Sequence, residues 1–455
     1  MIRRNLFMAM AMTAVLPAFA GGFVTNTNQS AAFLRMPAQE AVISVDAAYF
    51  NPASIAFLED GFHFGFNWQV ASQTRQSTTE YAPFAYGAKN GGQASKLFEG
   101  KAFAPVIPSF DLAYTNDRWF VSDHFGVTGG GGKAEYADGL GSFESQIAGL
   151  SALLNTYPIP GAPFMYDVDM FMNGTQYTFA NQITGGFKVL DNLSLSAGVR
   201  MSYVKAAYEA EIKNITVNGT PAGAFLTAIG QSAMAPMVAD KRLDCQQSGI
   251  GFAPVVSADF KTDKLNFAVK YEFRTKIRLE NSTKENTSGL AQFDDKVVTG
   301  ADIPSMLATG IGYSPVDKLH LYASFHLFGD MDAASYNSAT GQNDKQEYLE
   351  GNTTEYLAGI EYDICDRVVL SCGAQKTIYK TGPDHKYLND MSFSTDATSV
   401  GAGVKFLVSD NIDLNLGYFQ SFYDHVEKTT PSTPALKEDF YRTSKAFAAG
   451  ISFRF

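Results

Sequence analysis

Long apolar runs are what this chain most conspicuously lacks. Beyond residue 20, none of its 455 residues fall in a run of the roughly 18 apolar residues that a spanning helix needs. A helical membrane protein is excluded. Basic residues are scarce too: 35 Lys and Arg stand against 46 Asp and Glu, for a net charge of -11. With no basic stripe to neutralise phosphates, nucleic acid is excluded as a partner. Cysteine is nearly absent, and Cys245, Cys365 and Cys372 match no zinc spacing. Cys365 and Cys372 would flank one tight turn without facing each other, so all three read as isolated small residues of a core or wall. Only six histidines are present and no Ser-His-acid motif stands out. No catalytic residue, no metal site and no cofactor is assigned.

Aromatics and glycine are abundant instead: 36 Phe, 22 Tyr and 40 Gly. Mean hydropathy is nonetheless close to neutral, at -0.09. A transmembrane β-barrel combines these features. Only alternate residues face lipid, which keeps the average neutral, and aromatic girdles raise Phe and Tyr.

Residues 1–20 read as a signal peptide. Arg3 and Arg4 form a basic start, Leu6 to Leu16 an apolar stretch, and Ala18-Phe19-Ala20 a cleavage site. The mature chain would begin at Gly21 and be exported to a Gram-negative envelope.

From Gly61 to the end the period is two. Phe62, Phe64, Phe66, Trp68 and Val70 alternate with His63, Gly65, Asn67, Gln69 and Ala71. The pattern returns from Phe110, Leu193, Leu265, Leu319 and Ile412, and in the last strand to Phe455. Tight turns are expected near Asn116-Asp117, Asp191-Asn192, Thr262-Asp263-Lys264, Pro315-Val316-Asp317, Cys365-Asp366 and Asp410-Asn411. Between them lie long stretches, roughly 76–105, 131–175, 213–247, 281–303, 330–351, 381–394 and 427–439. Short and long connections alternate, as in an antiparallel up-and-down barrel with long loops at one end. The fold class is all-β, a transmembrane barrel of about 14 strands spanning residues 61–455. Pro254 within a strand suggests a bulge.

Two loops are greasy. In 142–172, Ser142 is placed to cap a helix with Phe143, Ile147, Leu150 and Leu154 on one face, followed by Phe164, Met165 and Phe171. In 221–239 the apolar residues include Phe225, Ile229 and Met234. Such surface either binds apolar ligands or packs as a lid. Lumen-facing Arg200, Lys270, Glu272 and Arg274 either pair with one another or hold a ligand carboxylate. His320 and His326 share a face; haem ligation is one reading and plain polar lining the other.

A barrel this wide is not filled by its own wall. Residues 21–60 precede the first strand and are the candidate plug. They contain the apolar stretch Ala47 to Leu58, interrupted by Asn51-Pro52.

These residues carry a resemblance. Gly21-Gly22-Phe23, Ala31-Ala32-Phe33-Leu34 and Asn51-Pro52-Ala53 resemble the N-terminal hatch of the FadL/TodX (OmpP1) family of outer-membrane transporters. The hairpin segments Gly249-Ile250-Gly251 to Arg274 and Ile303-Pro304-Ser305-Met306 to Leu319 resemble the family as well, as does Phe125-Gly126 on the third strand. Ser54 departs from the family's usual Gly, which leaves the local hatch path open to change.

The resemblance implies a monomeric outer-membrane channel for long-chain fatty acids or similar hydrophobic compounds, lodged among outer-membrane lipid and lipopolysaccharide. A gate would form at Asn51, Pro52 and Ala53. A lateral opening would form on the third strand at Asp123, Phe125, Gly126 and Gly129. Ligand contacts would come from Phe164, Met165, Phe171, Phe225, Ile229 and Met234, with Arg200 and Arg274. Alternatives are uptake of aromatic hydrocarbons or haem, an anchor or secretion shuttle for proteins, and a lipase or protease barrel.

Overall fold

The computed structural model describes residues 25–455 except 158, 334–348, 386–387 and 392. The leader and Gly21-Gly22-Phe23 lie outside the described residues, as does most of the 330–351 stretch.

The strands form one closed antiparallel barrel of 14. In chain order they are β1 Gly61–Glu80, β2 Ser95–Asn116, β3 Trp119–Tyr136, β4 Tyr166–Leu190, β5 Leu193–Val217 and β6 Lys241–Lys261. Next, β7 runs Leu265–Glu272 and resumes at Arg278–Asn286, and β8 runs Val298–Gly300 and then Met306–Val316. The circuit continues with β9 Leu319–Phe328, β10 Thr354–Cys365, β11 Val368–Ile378 and β12 Ala397–Ser409. It ends with β13 Ile412–Tyr423, extended by Val426–Thr430, and β14 Leu436–Arg454. β14 pairs with β1 from His63 opposite Arg454 to Glu80 opposite Lys437, so no edge remains. Phe62 and Phe455 exchange backbone hydrogen bonds of 3.1 and 2.9 Å, pinning the chain end to the barrel start.

Every expected tight turn is found, and the long connections gather at the other end. The faces follow the alternation. Phe62, Trp68, Leu112, Val121, Leu195 and Phe447 are exposed on the outside, while His63, Asn67, Gln69 and Ala71 are buried within. The strands are longer than expected. β4 and β5 have 25 residues each, when about 10 suffice to cross a bilayer. The loops shrink accordingly, to 81–94, 137–165 and 218–240. Beyond the bilayer both strand faces are polar or mixed, so the ladder continues where hydropathy stops alternating.

Pro254 makes no bulge: it pairs in register with Val199. The irregularity lies on its other side, where the β6–β7 ladder is interrupted between Val255–Glu272 and Ser248–Glu280. There the β7 backbone folds onto the lumen side of β6. A Cβ on Gly251 would lie 2.6 Å from Lys276 O, and one on Gly249 would strike Arg278 O. The glycines allow this close approach.

Candidate functional site

Residues 25–60 fold inside the lumen. α1 (Ala31–Arg35) is capped by Ser30, whose side chain accepts from Phe33 N, and it is wholly buried against β12, β13 and β14. Phe33 lies 5.9 Å from Phe50 and 5.5 Å from Phe419, ring centre to ring centre, in an apolar roof with Leu34, Met36 and Ala446. α2 (Ala47–Phe50) ends at Asn51, and Pro52 opens a 3-10 turn to Phe57. Pro fits that first position because its missing N–H would be unpaired there anyway.

Three polar latches tie this hatch to the wall. In the first, Asn51 Nδ2 donates to Asp259 Oδ2 at 2.8 Å and Ser54 Oγ donates to the same oxygen at 2.7 Å. Ala53 N donates to Ser257 Oγ at 2.9 Å. Ser54 is thus part of the latch, and its φ is not positive, so the route around it needs no glycine. In the second, His326 Nε2 meets Glu40 Oε1 at 2.7 Å and its Nδ1 meets Glu355 Oε2 at 2.8 Å. Two carboxylate acceptors require both ring nitrogens to donate, so His326 is an imidazolium. Neither nitrogen can ligate haem iron. Burial alone would raise the Glu40 carboxyl, but His326 outweighs it and holds it below its ordinary value. In the third, Arg35 pairs with Glu361 and donates to Ser371 at 2.7 Å and Asn415 at 3.0 Å.

Tyr49 sits at the centre. Arg200 lies 4.8 Å and Lys270 4.6 Å from its ring centre, and Lys270 Nζ donates to Tyr49 O at 2.8 Å. Glu272 closes the set, 2.5 Å from Arg200 and 2.7 Å from Lys270. Arg200 is therefore held by Glu272 and Gln182, not offered to a ligand. Arg274 lies in the infolded segment of β7, on Asp332 O and near Asp302. Asp46, at the start of α2, is buried, and that burial, with the Asp111 carboxylate nearby, pushes its carboxyl up to about 7.

Beneath the hatch, at the short-turn end, is a cavity of about 790 Å³ lined by charges including Lys261, Asp263, Lys318, Asp363, Lys405 and Arg454. Ser314 Oγ and His320 Nδ1 are 2.7 Å apart at its edge. Asp363 stands 3.5 Å from His320 Nε2, too far to orient the ring as a catalytic acid would.

The wall has a second interruption, between β2 and β3. The ladder is intact at Leu112–Asp123 and Phe110–Phe125, then lapses until Phe103–Lys133. The expected kink is thus corrected: Asp123 and Phe125 are in the ladder, and the break starts at Gly126. Asp123 is held by Asn181 Nδ2 at 2.6 Å. Across the break β3 keeps its pairing with β4 by shifting register at Val127/Gly129 and Gly130/Gly132. Gly130 and Gly132 have φ of 70° and 146°, a region that favours glycine. The facing segment of β2 contains Pro105 and Pro108, which cannot donate to a neighbouring strand.

The first hatch residues fill this seam. Asn26 N donates to Thr128 O at 2.8 Å and Asn26 Nδ2 to Gly130 O at 2.7 Å. Gln29 Nε2 donates to Val127 O at 3.0 Å, while Ser109 Oγ donates to Gln29 O at 2.5 Å. The fit is imperfect. Thr25 Oγ1, Asn26 Oδ1, Thr27 Oγ1 and Asn28 Oδ1 are buried without a hydrogen-bond partner among the described residues. Sequence reading missed Asn26, Gln29 and Ser109; the signal was the pair of prolines opposite a glycine run.

At the long-loop end, α3 (Gly141–Asn155) and α4 (Ala222–Ala228) cover the lumen. Ser142 does not cap α3. Leu140 precedes the helix, and Ser142 N, inside the first turn, donates to Asp390 Oδ2 at 2.7 Å. Phe143, Ile147 and Leu154 are buried, with Leu150 packed at the margin. Phe164 and Phe225 meet at 5.2 Å between ring centres, and Ile229 and Met234 pack on the same cluster. The two greasy loops therefore form a joint lid. Met165 and Phe171 fall outside the cluster; Phe171 lies on the opposite strand face from buried Met172.

The comparisons with known proteins agree with this architecture. A family model described as outer membrane protein transport protein (OMPP1/FadL/TodX) matches residues 175–455. No curated protein matches the sequence significantly. A Pseudomonas aeruginosa FadL homologue is similar in structure, with TM-score 0.64 at 15% identity over 96% of this chain and 100% of that one. The P. putida toluene transporter TodX gives 0.55 at 14% identity, over 90% of this chain and 94% of the other. The Ralstonia pickettii toluene transporter TbuX gives 0.52 at 14%, over 92% and 98%. With the family model spanning more than half of the chain and the 14-strand barrel and lumenal hatch around it, this outer-membrane protein belongs to the OMPP1/FadL/TodX family of transport proteins.

Proposed function

We propose that the protein takes up hydrophobic small molecules, long-chain fatty acids among them, and releases them sideways into the membrane through the seam between β2 and β3. The observation that carries this reading is the seam itself: a ladder break at Gly126, flanked by prolines and stoppered by residues 25–29. A solute gathered by the lid of α3 and α4 meets the hatch below. The vertical route leads past buried ion pairs into a charged cavity. The lateral route leads to lipid, which favours an apolar molecule by about 0.8 kcal/mol per CH₂ relative to water. Withdrawal of residues 25–29 is the gating step, and Asn51, Pro52 and Ala53 fix the base on which they move. Diffusion down the affinity gradient suffices, with no covalent step.

Aromatic hydrocarbons are a second reading, favoured by the likeness to TodX and TbuX, which are toluene transporters. Uptake of labelled palmitate and of labelled toluene by cells lacking other family members, with and without this protein, tests both. Accumulation of palmitate supports the first reading and of toluene alone the second. Accumulation of neither overturns transport of hydrophobic compounds.

A further inference from the structure

Tyr49 faces two ways. On one side its ring meets Phe50 edge-on, 5.1 Å between ring centres and 88° between planes. Phe50 in turn stacks on Phe33 in the apolar roof, nearly parallel at 5°. On the other side the Tyr49 ring lies 4.8 Å from His124 of β3, and its phenol hydroxyl donates to Asn26 O at 3.1 Å. Tyr49, Asn26 and His124 are all buried. A buried tyrosine hydroxyl needs a partner, and here the partner is a carbonyl of the segment that fills the seam.

Asn26 is the pivot of that segment. Its N–H and side-chain amide go to Thr128 O and Gly130 O of β3, and its carbonyl also accepts from Gln29 Nε2 at 2.9 Å. The rest of the segment is bonded to the wall. Asn28 Nδ2 donates to Gln69 Oε1 of β1 at 3.3 Å and Gln69 Nε2 donates to Asn28 O at 2.7 Å. Gln29 bonds to Val127 of β3 and to Ser109 of β2. Among the described residues, the Tyr49 hydroxyl is the one group of the hatch core, residues 31–60, that hydrogen-bonds to residues 25–29. His124 backs the contact from the wall. Its Nδ1 is 2.7 Å from Asp111 Oδ1, its register partner one rung before the last rung of the intact β2–β3 ladder. A Cβ on Gly126 would lie 2.8 Å from His124 Nε2 and would strike Gln29 Oε1, so ring, stopper and ladder break meet at one place.

We infer that Tyr49 is the positioning residue that couples the hatch core to the seam, its hydroxyl deciding whether residues 25–29 stay in the β2–β3 gap. This rests on the transport reading above and adds what releases the stopper. A solute that presses on Phe33 and Phe50 displaces the tyrosine ring behind them. The hydroxyl then leaves Asn26 O, and the stopper keeps its wall bonds alone. The link is a contiguous run of packed rings ending in one hydrogen bond. One net hydrogen bond shifts an equilibrium by about two- to ten-fold, which suits a release that must reverse after each passage.

Hydrogen exchange of the purified full-length protein in uncharged detergent, with and without palmitate, tests it alongside palmitate uptake by cells. Palmitate should speed exchange of residues 25–30 in the wild type. Tyr49→Phe keeps the ring and loses only the hydroxyl. Without palmitate it should already exchange about two- to ten-fold faster at 25–30, with residues 44–58 and the barrel strands at wild-type rates. Palmitate should add no further increase. Gln29→Met loses the bonds to Val127 O and Asn26 O but keeps that of Tyr49, so it should exchange faster at rest and still respond to palmitate. Wild-type exchange at 25–30 in unliganded Tyr49→Phe overturns the assignment. So does a palmitate response that survives in Tyr49→Phe or vanishes in Gln29→Met, and so does loosening of 44–58 as large as that of 25–30. If cells take up palmitate and one of these results appears, the coupling falls and transport stands. If cells take up neither palmitate nor toluene, both fall.

Discussion

Glu40 of the hatch and His326 of the barrel wall are joined at 2.7 Å, with both side chains almost wholly buried. The bond ties the lumenal hatch to the barrel wall, and Glu355 holds the far side of the same ring. Removing Glu40 leaves His326 paired on one side only. Breaking a buried pair in this way costs about 3–5 kcal/mol. Glu40→Ala should therefore raise hydrogen exchange across residues 31–58, while the barrel strands exchange at their wild-type rate. Equal exchange in both proteins would remove this pair from the account of how the hatch is held.

Asn51 and Ser54 supply two donors to one oxygen of Asp259. Asn51→Ala strips one donor from a buried carboxylate and should weaken hatch docking by about 1–3 kcal/mol. Ser54→Gly, which resembles the family's usual residue there, removes the other donor and should weaken docking by a similar amount. Proteolysis of native protein at sites within 44–58 measures both. A Ser54→Gly protein as resistant as wild type would mean that this hydroxyl contributes nothing.

Asp46 gives the hatch a pH dependence. Its carboxyl is raised to about 7 by burial, then by the Asp111 charge, against the opposing effects of Asn67, Ser30 and Arg35. The docked hatch thus binds a proton that the free segment gives up. Its stabilising effect is complete below the ordinary carboxylate pKa, declines as pH rises, and is gone above about 7. Exchange of residues 44–50, corrected for intrinsic rate, should be faster at about pH 8 than at about pH 5. Asp46→Asn should flatten that difference; a difference that survives in Asp46→Asn assigns it to other groups.

Much of this fold is legible in the chain because a lipid-facing strand must alternate. Phe62 to Val70 shows the rule, and Asp191-Asn192 and Asp410-Asn411 show where it turns. The content of the hatch is legible as well, since Ala47 to Leu58 is too apolar for a surface. Legibility ends where alternation stops meaning lipid against lumen. Arg75 stands among Gln, Ser and Thr, polar on both faces, so its strand is hidden. Its partnership with Arg442 depends on closure between the first and last strands. No local pattern can encode a contact between residues so far apart in the chain. The expected kink began too early, at Asp123 where the break starts at Gly126, for a related reason. Gly126 to Gly132 signals freedom of the backbone, but which residues leave the ladder depends on Pro105 and Pro108 of β2. For Arg200 the sequence left pairing and ligand binding both open, because its partner Glu272 lies on another strand and only the barrel brings them together.

On the proposed route, apolar cargo leaves through the β2–β3 seam when residues 25–29 withdraw. A reversible tether between the hatch and β3 tests it most directly. A Cβ on Gly126 would strike Gln29 Oε1, so the two positions are neighbours at the seam, and Gly126 has no positive φ. The pair Gln29→Cys and Gly126→Cys, with Cys245, Cys365 and Cys372 replaced by Ala, should take up labelled palmitate when its thiols are free. Coupling the two thiols with a short, reducible bis-thiol reagent should stop uptake, and reductant should restore it. Equal uptake by the coupled and reduced forms, with coupling shown to be complete, would contradict lateral release at this seam.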